Sequence, residues 1–109
     1  MIEALWSVQF IADNNDYGAG VVVFENGRLY GGDSSYYYVG SYSVKDGVIS
    51  AEILVTHYSG ALNNILGPIE KVTWNVSGNI ARDIFSVTGH AKEFPNTVDV
   101  RLTRRAELP

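Results

Sequence analysis

Asn26-Gly-Arg-Leu-Tyr-Gly-Gly-Asp-Ser-Ser-Tyr-Tyr-Tyr-Val-Gly-Ser-Tyr42 is the stretch that decides the fold. Asn26-Gly27 stands between two apolar runs, which predicts a two-residue hairpin, because a type I′ turn needs positive φ at both central residues and these two tolerate it. Antiparallel partners keep a constant index sum, so Glu25 should face Arg28, Phe24 face Leu29, Val23 face Tyr30 and Val22 face Gly31. Gly31-Gly32-Asp33 then removes side chains where the strand would continue, the pattern of a bend, a bulge or a close backbone approach. From Tyr36 the chain reads as strand again.

Asp46-Gly47 predicts a second hairpin by the same logic. Its register pairs Tyr36 with His57, Tyr38 with Val55 and Tyr42 with Ala51 on one face, and Tyr37 with Thr56, Val39 with Leu54 and Ser41 with Glu52 on the other. Outside this pair of hairpins, residues 5–12 alternate with Trp6, Val8 and Phe10 on one side, the period of a half-buried strand. Residues 13–16 read as its loop and residues 18–25 as the next strand. Residues 71–77 (Val72, Trp74 and Val76 inward), 84–91 and 98–105 (Val98, Val100 and Leu102 inward) complete the set, with Ser77-Gly78-Asn79 read as a turn. Leu62, Ile65 and Leu66 fall at i, i+3, i+4 before Gly67-Pro68, which predicts one short helical segment near residues 60–67.

About eight strands joined by short connections predict an all-β, up-and-down antiparallel barrel over residues 1–109, a single domain, with a two-sheet sandwich as the alternative. Trp6, Phe10, Tyr38, Tyr42, Ile53, Val55, Trp74, Val100 and Leu102 are its expected core.

Composition excludes several classes. A formal net charge of -4 argues against nucleic acid, whose phosphates are bound by clustered Lys and Arg. With no cysteine there is neither a disulfide scaffold nor a thiolate metal site. The expected location is cytoplasmic, without membrane association, since no signal peptide and no apolar run of about 18 residues is present.

Catalytic signals are weak, and the chain reads as a non-enzyme without cofactors or metal. His57 falls on the inward face across from Tyr36, where a ring hydrogen-bonded to the phenol would satisfy both groups. No carboxylate stands in sequence to orient it as a base. His90 takes the outward parity, and two separated histidines make no metal site. Gly18-Ala-Gly20 opens a strand and not a helix, so it holds no phosphate. Trp6, Phe10, Tyr36, Tyr38, Tyr42, His57 and Trp74 either fill the core or line a cavity for a small apolar ligand.

The outer face breaks its own pattern. Tyr37, Val39 and Leu54 are apolar where Ser41, Ser43, Glu52 and Thr56 on the same parity are polar; with Val21, Val23 and Tyr30 they either form one patch, a feature of association surfaces, or are scattered exposed apolar residues.

The combination of Gly18-x-Gly20, Asn26-Gly27, Gly31-Gly32-Asp33, a tyrosine-bearing strand and a strand ending in His57-Tyr58 resembles the GrlR-like family of negative regulators of type III secretion, from about Ala4 to Arg105. The resemblance implies a lipocalin-like (calycin) barrel, a homodimer, and regulation by binding a transcriptional activator protein. The family's acidic activator-binding run falls where this chain has Lys45-Asp46-Gly47, with one carboxylate beside a lysine.

Overall fold

Asn26 and Gly27 take φ of 53° and 79°, and Asp46 and Gly47 take 54° and 77°, so both tight turns have the positive φ at their two central residues that a type I′ hairpin requires. In the computed structural model, which describes residues 2–12, 15–60, 62 and 69–109, with the backbone alone for residues 12 and 15–17, these turns organise a barrel. Its strands are β1 (Ala4–Ala12), β2 (Asn15–Glu25), β3 (Arg28–Gly32), β4 (Tyr36–Lys45), β5 (Val48–His57), β6 (Lys71–Asn79), β7 (Ile84–His90) and β8 (Val98–Ala106). Each is antiparallel to its neighbour in sequence, and β1 pairs with β8 to close the barrel, which removes the sandwich alternative.

The registers across both hairpins are those that the turn arithmetic requires: Val22 faces Gly31, Val23 faces Tyr30, Tyr38 faces Val55 and Val39 faces Leu54. Parity then sorts the side chains. Trp6, Val8, Tyr38, Val55, Trp74 and Leu102 are buried, and Phe10, Tyr42, Ile53 and Val100 are partly buried against them. Gly31 is needed where β2 and β3 approach each other, because a Cβ there would lie 2.0 Å from the Val21 carbonyl oxygen.

Three expectations are corrected. Ser77-Gly78-Asn79 is not a turn but the end of β6, pairing with Ser50, Ile49 and Val48 of β5. Its glycine serves a close approach, since a Cβ on Gly78 would sit 2.5 Å from the Ser86 carbonyl oxygen. Asn15 and Asp16 belong to β2, paired with Ala12 and Ile11, and are not loop. The helical segment near residues 60–67 is not borne out: Gly60 lies in a bend and Leu62 is irregular, while Ala61 and residues 63–67 lie outside the described residues. Among the described residues no helix is long and apolar enough to cross a membrane.

Candidate functional site

The outer surface carries an unbroken apolar row. Pairing across five successive ladders aligns Leu5, Val23, Tyr30, Val39, Leu54 and Thr73, one residue per strand from β1 to β6. At about 4.8 Å per strand, the five apolar members span roughly 19 Å. Val39 is 52% exposed; Tyr30 and Leu54 are also exposed, and Val23 is half-buried. The next row toward the Asp33 end adds exposed Val21 and Tyr37, and Tyr58 lies against Tyr37 with ring centroids 6.2 Å apart. Thr56, the partner of Tyr37, has a buried hydroxyl with no hydrogen-bond partner among the described residues. On the other side the row gives way to polar residues: Glu25, Arg28, Ser41 and Glu52 align in register. Tyr30 is anchored to that border by donating to Glu25 Oε1 at 2.7 Å, a bond that raises its phenol pKa. All six residues expected at an interface thus lie in two adjacent rows of one surface.

The seven residues expected around an interior ligand are not gathered in one place. Phe10, Tyr38 and Trp74 line a central void. Trp6 is turned from it, donating its indole N–H to the Ile2 carbonyl at 2.9 Å and packing edge-on against Phe24 and Phe85. Tyr42 is half-buried against Phe24, with burial raising its pKa. Tyr36 and His57 meet edge to face at 5.4 Å, but not by the expected hydrogen bond. The Tyr36 hydroxyl reaches past the imidazole to the Ile69 carbonyl at 2.6 Å, and His57 Nε2 donates to the Gly60 carbonyl at 2.9 Å. The imidazole is half-buried and serves the β5–β6 connection.

Asp33 is the residue whose role the sequence least disclosed. Its Oδ1 accepts the backbone N–H groups of Ser35 and Tyr36, each at 2.8 Å, and its Oδ2 accepts the Tyr38 hydroxyl. Its carbonyl accepts the Tyr58 hydroxyl at 2.7 Å, which ties the β3–β4 connection to the residue after β5. The available signal was an Asx turn, Asp followed by Ser-Ser after two glycines. Exposed His90 stands apart, paired with Asn75. Arg104, also missed, continues the inward parity of Val98, Val100 and Leu102 and lays its guanidinium 4.8 Å from the Trp6 ring centroid.

Tyr38 has a measurable consequence. Burial first, then the hydrogen bond to Asp33 and its negative charge, hold the phenol well above its ordinary value of 10.0. The fold therefore favours the protonated phenol: this stabilisation is fully present below pH 10.0 and is lost as pH rises past it. The loss should approach about 1.4 kcal/mol per pH unit for the one proton. Denaturant titrations between about pH 8 and about pH 11.5 check this by the slope. Wild type should weaken more steeply than Tyr38→Phe above pH 10, and parallel curves would contradict it.

Compared with protein-family models and with curated proteins, the sequence finds no match.

Proposed function

We infer that the protein is a non-enzymatic regulatory module that acts by protein–protein binding in the cytoplasm, similar to the GrlR-like negative regulators of type III secretion. The observation that carries this reading is the outer apolar row, since a closed barrel needs only its inward parity to be apolar. The row's occupant is a second copy of the chain. A two-fold axis running along β4 sets β3 of one protomer over β5 of its partner, so Val39 meets Val39 and Tyr30 meets Leu54. In the polar border the same axis brings Arg28 over Glu52, an opposite-charge pair repeated on both sides, as an isologous contact requires. The net charge of -4 suits a basic face of a transcriptional activator protein.

The self-association is tested by light scattering. Burying an apolar side chain of this size contributes roughly 1.5–3 kcal/mol, so Val39→Glu, which opposes two carboxylates at the axis, should weaken the dimer by at least about ten-fold, and Val39→Glu with Leu54→Glu, which adds like charge beside them, further. Both sites face away from the core, so far-UV circular dichroism should be unchanged. A wild-type monomer at high concentration, or a double variant that remains dimeric, would overturn the assignment. For the regulatory step, a reporter driven by a type III secretion activator should be repressed by the wild-type protein, and an unaffected reporter counts against it.

A further inference from the structure

The centre of the barrel is not filled. A void of about 80 Å³ lies there, walled by side chains from all eight strands, among them Phe10, Tyr38, Ala51, Trp74, Val87 and Leu102. Only apolar atoms face it. The Tyr38 hydroxyl, the group best placed to wet the wall, is drawn out of it to Asp33. Water in a cavity needs two to four polar partners, and this wall offers none, so the void is dry. Atoms lining a dry void forfeit dispersion contacts on one side, and an apolar guest restores them without breaking a hydrogen bond.

We propose that this void is a binding site for compact apolar molecules of up to about three heavy atoms, a size set by comparison with a cavity of about 150 Å³ that holds benzene. The class excludes acyl chains, which are several times too long, and any ligand that must be oriented by a polar group. It is independent of the outer row, whose residues do not reach the void.

Xenon is the probe. Methyl spectra of the full chain recorded under rising xenon pressure should show saturating shifts at Ala51, Val87 and Leu102, whereas exposed Val44, Val48 and Ile84 should drift linearly. Benzene should leave the wild-type spectrum unmoved. Ala51→Leu, which fills the void, should weaken xenon binding by about ten-fold or more. Val100→Ile adds bulk from β8 and serves the same purpose if Ala51→Leu does not fold. Linear drift at every methyl, saturation that persists in the filled variants, or benzene binding to wild type would each overturn the proposal.

Discussion

Replacing Trp6 by alanine should destabilise the protein by about 3–5 kcal/mol, the largest loss expected from any single truncation here. Trp6 is 0% exposed and meets Phe85 edge-on at 5.0 Å and Phe24 at 6.4 Å. Its indole N–H satisfies the Ile2 carbonyl, and its ring supports the Arg104 guanidinium, which also donates to the Arg82 carbonyl at 2.8 Å. Truncation therefore removes a large apolar volume, leaves the Ile2 carbonyl without its donor and takes the aromatic face away from the Arg104 guanidinium. Trp6→Phe keeps most of the packing and loses only the indole donor, so it should cost much less. Since domains of this kind are stable by about 5–15 kcal/mol, Trp6→Ala should remove a large share of the stability. Urea denaturation with an unchanged slope provides the measurement, and a midpoint within error of wild type would show that Trp6 is not the anchor its burial suggests.

The second large effect belongs to Asp33. Asp33→Ala should cost about 2–4 kcal/mol, because one carboxylate accepts three donors and hydrogen bonds to charged groups are worth about 1.5–3 kcal/mol each when they are not replaced by water. The Ser35 and Tyr36 amides lie at the end of the barrel, where water recovers part of the loss. The Tyr38 hydroxyl is buried and recovers little. This asymmetry fixes the outcome of a double-mutant cycle. Adding Tyr38→Phe to Asp33→Ala should cost less than the sum of the two, with a coupling of about 1–2 kcal/mol, since the second change removes the orphaned hydroxyl. Strict additivity would mean that the phenol finds another partner once the carboxylate is gone.

What the sequence disclosed and what it withheld follow from the range of the interactions. The Asn26-Gly27 and Asp46-Gly47 turns were legible because positive φ is a demand on two adjacent residues, and the register of four strands then followed by counting. The outer row was legible for the same reason, since Val39 opposite Leu54 is a consequence of that count. Gly78 was misread because a glycine in a strand and a glycine in a turn look alike until the neighbouring strand is in place. The Asp33 hub depends on Tyr58, 25 residues away, and no local pattern specifies that meeting. The expected hydrogen bond between Tyr36 and His57 failed for similar reasons: parity put the two rings side by side, but their hydrogen bonds go to the Ile69 and Gly60 carbonyls.

Barrel closure has a further consequence, in the order of events during folding. Seven of the eight strand pairings join neighbours along the chain and form by closing short loops, whereas β1 on β8 brings residues 4–12 to residues 98–106. The chain entropy of that last contact exceeds that of a hairpin by about 2–3 kcal/mol, so local hairpins gain their contacts first and the seam zips late. Until it does, β1 and β8 are two open edges, each nine residues long with an apolar inward face, and the mostly apolar β1 in particular can template pairing with another chain. The seam is thus a kinetic bottleneck. Changes that slow its formation, such as loss of the Trp6–Arg104 contact on the two strands that meet there, lengthen the interval in which a folding molecule can be captured edge to edge by its neighbours.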